Sequence, residues 1–172
     1  YIASVKNIDT IIEIDASTLT ADTIDLESVN ELKMSTQGVG IGVAVNVASA
    51  SSMVLVKNSN LTSTKNGIKL LAKSVIESKA DAQAKAGNVA VGVSVISGST
   101  EASITGSGTI NSKKGLLVSA ESNAQATTNA IGKAANDNRS GAFAGVSIVN
   151  YDTKANIGGT VSVQANEDVT VK

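Results

Sequence analysis

Histidine, cysteine, proline and tryptophan are all missing from this 172-residue chain, and its aromatic residues amount to two Tyr and one Phe. Without Cys there is neither a disulfide framework nor a thiol nucleophile. Without His or Cys the usual ligand sets for zinc, haem and iron–sulfur clusters are excluded, and imidazole acid–base catalysis with them. Charge of one sign is also lacking: 14 Lys and Arg stand against 15 Asp and Glu, a net charge of -1. No basic stripe interleaved with aromatics is present, so the footprint of a nucleic-acid binder is absent. The longest stretch free of strongly polar residues runs from Gly38 to Val45, far short of the roughly 20 residues that span a bilayer. Tyr1 rather than Met opens the sequence, and no basic, apolar, small-residue leader follows, which reads as a piece excised from a longer protein.

What is there is small and β-branched. Hydrophobic residues make up 42% of the chain and Gly contributes 15 positions, so Ala, Val, Ile, Ser and Thr must build the interior with little aromatic help. That composition suits a thin core of many similar layers. The missing Pro agrees, because nearly every backbone N–H is then available to a ladder.

Self-comparison exposes a repeat. Gly42-Val-Ala-Val-Asn46, Gly92-Val-Ser-Val-Ile96 and Gly145-Val-Ser-Ile-Val149 line up, and so do Gly67-Ile-Lys-Leu70, Gly115-Leu-Leu-Val118 and Asp168-Val-Thr-Val171. Thr23-Ile-Asp-Leu26 fits the frame of Gly67-Ile-Lys-Leu70, and Ile12-Glu-Ile14 matches Val54-Leu-Val56. The unit is about fifty residues. The chain divides into a partial unit over 1–37, units over 38–86 and 87–140, and a partial unit over 141–172.

Inside each unit the period is two. Val39, Ile41, Val43, Val45 and Val47 alternate with Gly40, Gly42, Ala44 and Asn46, and Val89 to Val95 behave likewise. This is the pattern of a half-buried strand with its Val residues inward. Short strands are expected at Ser52–Lys57, Asn60–Thr62 and Gly67–Ala72, with turns at Thr64-Lys-Asn-Gly67 and Ser112-Lys-Lys-Gly115. The Ala-rich stretches Glu77–Ala86 and Ala120–Ala135 invite a helix by propensity. Ala80, Ala82, Ala84 and Ala86 nevertheless alternate at period two, so strands with small inward side chains are the reading adopted. The fold class that follows is all-β, a single parallel β-solenoid segment. At ~20–25 residues per coil, two coils fill each unit; seven or eight coils then make a rod roughly 35–40 Å long at ~4.8 Å per coil.

Three segments carry a resemblance: Gly38-Val-Gly-Ile-Gly-Val-Ala-Val-Asn46, Thr153-Lys-Ala-Asn-Ile-Gly-Gly159 and Val161-Ser-Val-Gln-Ala-Asn-Glu-Asp-Val-Thr-Val171. The chain resembles the repeats of large bacterial filamentous adhesins of the leukotoxin type, relatives of filamentous haemagglutinin. The resemblance implies a right-handed parallel β-helix, exported to the cell surface or beyond and displayed as a stalk or fibre. Its expected partners are a host or neighbouring-cell surface, neighbouring fibres, and adjacent repeats of the same chain. No cofactor is expected.

Candidate sites are few, and none is defensible as catalytic, cofactor-binding or metal-binding. Asp9, Asp15, Asp22 and Asp25 lie close in sequence, as polysaccharide-cleaving β-helix enzymes would require of a carboxylate cluster. Their equivalents Ser51, Lys57, Asn66 and Lys69 instead suggest surface positions. Gly158-Gly159 lacks the Asp of the glycine–aspartate calcium repeat, and Asn136-Asp-Asn138 reads as a polar turn. Gly38-x-Gly-x-Gly42 lacks the third Gly at the spacing a dinucleotide loop requires and the helix that should follow. Gly40, Gly42, Ala44, Ala90, Gly92, Ser94, Gly145 and Ser147 are expected to face outward as a smooth strip, covered by the segment Asn123–Ser140. Asn60-Leu-Thr62 and Asn138-Arg-Ser140 match the glycosylation acceptor pattern. Phe143 and Tyr151 form the only aromatic pair able to anchor a partner.

Overall fold

The structure, a computed structural model, describes residues 1–40, 42–85, 88–132 and 141–172. All regular structure in them is strand. In chain order these are β1 Ile2–Asp15, β2 Thr18–Ala21, β3 Ile24–Gly40, β4 Gly42–Lys57, β5 Asn60–Ser63, β6 Ile68–Ala84, β7 Ala90–Thr105, β8 Ser107–Ser112, β9 Leu116–Gly132, β10 Phe143–Ile157, β11 Thr160–Ala165 and β12 Val169–Val171. They form three four-stranded sheets ordered β1-β4-β7-β10, β2-β5-β8-β11 and β3-β6-β9-β12, and every pairing is parallel. A chain that visits three sheets in rotation and returns one strand further along each is a parallel β-solenoid.

Each repeat makes one coil, not two. Ile2 pairs with Ala44, Gly42 with Ala90 and Ala90 with Phe143, so a full unit separates neighbouring strands. The shorter estimate fails because the strands run 14 to 17 residues on two walls, against a usual 5–6 or so. Ser52–Lys57 is accordingly not a strand of its own but the end of β4. Four coils at ~4.8 Å rise only ~15–20 Å, while the long walls stretch ~50 Å: a slab rather than the expected rod. The register also moves one alignment by two residues, placing Ala44, not Gly42, beside Gly92.

The two long walls face each other. Ser28 Oγ lies 2.8 Å from Ser52 Oγ, Thr36 Oγ1 donates to Asn46 Oδ1 at 2.9 Å, and Ser94 Oγ meets Ser78 Oγ at 2.6 Å, all buried. The small β2-β5-β8-β11 sheet closes one long edge. There the interior is wide and filled by Val54, Val56, Leu61, Ile68, Leu70, Ile104, Ile110, Leu116 and Val118. Burying each such side chain contributes about 1.5–3 kcal/mol. Toward the opposite edge the core narrows to Ala44, Ala80, Ala82, Ala84 and Ala90. The cross-section is a wedge.

The wedge reverses which face of the glycine–valine strands is buried. Along β4, Gly42, Ala44, Asn46, Ala48 and Ala50 point inward and Val43, Val45 and Val47 outward. The reason is backbone proximity: a Cβ on Gly42 would lie 2.5 Å from the carbonyl oxygen of Gln83, and one on Gly38 would lie 2.6 Å from that of Val43. Only small side chains fit between walls that close. The Ala-rich β6 satisfies the same demand from the other wall, as strand rather than helix. Ala86 and the end of the Ala120–Ala135 stretch lie outside the described residues.

The corner between the first wall and the small sheet recurs in every coil. Ala16 and Asn58 hold φ of 47°, and Gly106 and Gly159 hold φ of 81° and 83°. Their backbones are stacked in part by Ala16 N–H to the Lys57 carbonyl and Asn58 N–H to that of Thr105. Glycine and asparagine tolerate this left-handed turn; alanine is strained in it.

Candidate functional site

The four aspartates do not converge. Asp9 stands on the outer face of the first wall, accepting from Asn7 Nδ2 at 3.2 Å, and Asp15 accepts from Asn58 Nδ2 at 3.2 Å near the left-handed corner. Asp22 sits at the turn before the second wall, 2.7 Å from Lys65 Nζ and 2.8 Å from Thr64 Oγ1. Those two donors, Lys65 first, hold its carboxyl below the ordinary carboxylate value. Asp25 lies 3.6 Å from Lys69 Nζ on the outer face of the second wall.

What the sequence reading treated as tolerant surface charge is organised between coils. The first coil supplies Glu13, Asp22, Asp25 and Glu27, and the second supplies the lysines that meet them. Lys57 Nζ is 2.7 Å from Glu13, and Lys69 contacts both Glu27 and Asp25. Glu27 first, and Asp25 after it, raise the Lys69 pKa, as Glu13 raises that of Lys57. In-register stacking would place like charges ~4.8 Å apart if a charge simply repeated. Answering the carboxylates of the first coil with lysines of the second removes that repulsion between these two coils.

One groove runs along the corner where the chain enters the second wall. It has a volume of about 560 Å³ and is lined by Asp25, Gly67, Lys69, Gly115, Asp168 and Lys172, among others. It exists because the corner column is glycine in coils two and three: a Cβ on Gly67 would meet the Gly115 carbonyl oxygen at 2.7 Å. Of the four aspartates only Asp25 reaches it, already paired with Lys69. Among the described residues, no group of three His, Cys, Asp or Glu side chains is placed to hold a metal ion. No helix there is long and apolar enough to cross a membrane.

The smooth outward strip is overturned. Gly42, Ala44, Ala90, Gly92 and Ser94 are buried against the facing wall, whereas Gly145 and Ser147, beside Gly92 and Ser94 in register, are exposed. In their place the outer face carries columns of branched residues: Val5–Val47–Val95–Ile148, Ala3–Val45–Val93–Val146 and Val43–Val91–Ala144. Val5, Val146 and Ile148 are 74%, 44% and 48% exposed. The other half of this face is mixed, opening with the polar column Asn7–Ser49–Ser97–Asn150 and also carrying Ile11 beside Met53 and Glu13 beside Leu55.

The remaining candidates separate. Asn60 is exposed at the start of β5, but its side-chain oxygen accepts from Thr109 N–H at 2.9 Å, making it part of an axial hydrogen-bond ladder. Asn138-Arg-Ser140, Asn136-Asp-Asn138 and most of the proposed covering segment lie outside the described residues. Phe143 covers Gly132, where a Cβ would come within 1.8 Å of its ring. Tyr151 instead turns into the core, packed with Leu32, Ile76 and Ile96. They are not a shared anchor. No family model, curated protein or solved structure matches the chain.

Proposed function

We propose that this chain is a non-catalytic structural segment of an extracellular bacterial surface adhesin, acting through its broad walls in adhesion or in lateral association of neighbouring fibres. The observation that carries the reading is the column: equivalent positions stack in register through four coils, so each surface feature is presented repeatedly along the axis. A surface of repeated columns favours many weak contacts over one specific pocket. The apolar columns on the first wall are such a surface. A self-assembling filament subunit is the second reading, favoured by the uncharged Val5-to-Ile148 face.

The non-catalytic part is supported by the four aspartates not converging and by Asp22 and Asp25 each being engaged by a lysine. The test compares beads coated with the chain and with a Val45→Lys/Val93→Lys variant, for binding to epithelial cells and to one another. The reading expects the native chain to bind in at least one format and the variant to bind several-fold less. Equal behaviour of both beads would remove the apolar wall from the mechanism. Release of unsaturated oligosaccharides from acidic polysaccharides, lost on Asp25→Asn, would replace the reading with the lyase alternative.

A further inference from the structure

Thr64-Lys-Asn-Gly67 is the turn that carries the second coil from the small sheet into its long wall, and it contains the chain's single Asn-Gly pair. Asn66 stands exposed in a bend, outside any strand. Its side chain is held at one end, where Nδ2 donates to Thr23 Oγ1 at 2.8 Å. Asn58 and Asn60 are instead clamped from both sides along the axis. Asn58 donates to Asp15 Oδ1 and accepts from Ser107 N–H, and Asn60 donates to Thr18 Oγ1 and accepts from Thr109 N–H. The N–H of Gly67 differs too: among the described residues it has no hydrogen-bond partner. The ladder to the third coil begins one residue later, with Ile68 N–H to the Gly115 carbonyl. Gly67 also lines the corner groove, so water reaches the atoms of this pair.

These conditions favour one reaction. The backbone nitrogen that follows an asparagine is a nucleophile placed to reach that residue's own side-chain amide. Glycine exposes it best, since no Cβ crowds the approach. A free N–H surrenders its proton without giving up a ladder bond, and turns open more readily than paired strands.

We propose that Asn66-Gly67 is a self-modification site, at which the chain closes a succinimide, expels ammonia and, with water as the only co-reactant, converts Asn66 to aspartate or isoaspartate. The Gly67 nitrogen loses its proton to solvent base and bonds to Asn66 Cγ; the Cγ–Nδ2 bond breaks and Nδ2 leaves as ammonia. Water then opens the ring at one of its two carbonyls. Opening at Cγ gives aspartate on an unchanged backbone. Opening at the Asn66 main-chain carbon gives isoaspartate, which routes the backbone through the side chain and lengthens it by a methylene. Either product puts a carboxylate where an amide donated to Thr23, close to Asp22, whose own carboxylate already holds Lys65 at 2.7 Å. Like charges so placed repel. Lys65 and Asn66 also donate their N–H groups to the Asp22 carbonyl, bonds that a lengthened backbone strains. The modification therefore loosens the corner that joins the first coil to the second.

The test incubates the intact, folded 172-residue chain in warm, mildly alkaline buffer and follows each asparagine by peptide mapping with mass spectrometry, beside the same chain unfolded in urea. The folded chain should lose the Asn66 amide at least tenfold faster than those of Asn58 and Asn60, with isoaspartate among the products. The aged chain should also unfold at a lower urea midpoint. Asn66→Gln, whose longer side chain must close a larger ring, should keep both its amide and its midpoint over the same period. Survival of the Asn66 amide in the folded chain for as long as that of Asn58, with loss only in urea, would overturn the assignment. An equal fall in the midpoint of the aged Asn66→Gln chain would overturn the loosening at this corner.

Discussion

The hydroxyl of Tyr151 reaches the carbonyl oxygen of Ala50, 3.0 Å away and 101 residues earlier in the chain. Tyr151 belongs to the fourth coil and Ala50 to the second, so the ring crosses the third coil along the axis. It does so over Gly98, which pairs with both residues and has no side chain to obstruct it. The same hydroxyl lies 3.1 Å from Thr100 Oγ1 and 3.2 Å from the Ser99 carbonyl. One side chain thereby pins three successive layers.

Removing the hydroxyl should therefore be felt beyond the terminal coil. Tyr151→Phe is expected to lose about 1–2 kcal/mol, since a buried carbonyl and the Thr100 hydroxyl are left short of a partner. Gly98→Ala should cost more, because the new Cβ would lie 1.9 Å from the Ala50 carbonyl oxygen on a backbone held at φ 146°. Urea denaturation of both variants checks the order; a Gly98→Ala midpoint at or above that of Tyr151→Phe would contradict the pin.

The inverted facing of the glycine–valine strands separates two substitutions of similar chemical size. Ala80, fully buried at the thin edge, should lose about 1–3 kcal/mol on replacement by Leu, because two backbones there leave no room. Val45→Thr, on the outer wall, should stay within about 0.5 kcal/mol. If Val45→Thr proved the costlier, the valines would be the true core face.

Ala16 is a natural weak point of the corner column. An alanine in the left-handed region is strained by about 1–2 kcal/mol, whereas glycine adds about 0.4–1 kcal/mol of unfolded-state entropy. Strain outweighs entropy, so Ala16→Gly should raise stability by roughly 0.5–1 kcal/mol, as Gly106 and Gly159 already stand at the equivalent corner. A thermal melt decides the sign.

The Asp22 carboxyl titrates below its ordinary value because Lys65 and Thr64 donate to it. A depressed folded pKa contributes stability above the unfolded value, and that contribution disappears as pH falls through the folded one. The stability difference between the native chain and Asp22→Asn should thus be small but present well above the ordinary carboxylate value and vanish once pH has fallen through the lower folded one, and salt should shrink it at the higher pH. A difference that grew on acidification would contradict the pairing.

Period-two alternation made the strands legible, including the alanine stretch that propensity alone assigns to helix, and the repeat made the stacking legible. Two things were hidden for physical reasons. The polar run Ser49-Ala-Ser-Ser52 reads as a break within what is one long strand, so strand length and coil count were misjudged; the absence of any Gly or Pro from Val43 to Lys57 was the usable signal. Which face was buried was hidden because β-branched residues ordinarily point inward. Here Gly38 and Gly42 must let two walls meet, a distance no single strand encodes, although the alternating Ala80, Ala82 and Ala84 pointed to it. The lysines opposite the aspartates were visible in the alignment as Lys57 and Lys69; that they answer charge with charge needed the register.

The long walls set an exchange rate between chain and distance. A coil of roughly 48 residues advances the axis by ~4.8 Å, near 0.1 Å per residue, whereas an α-helix climbs ~1.5 Å per residue. A column 100 Å tall would take about a thousand residues wound into roughly twenty coils. A molecule built this way trades reach for girth: each added repeat widens nothing and lengthens little, but lays down a fresh ~50 Å course of masonry on both sides.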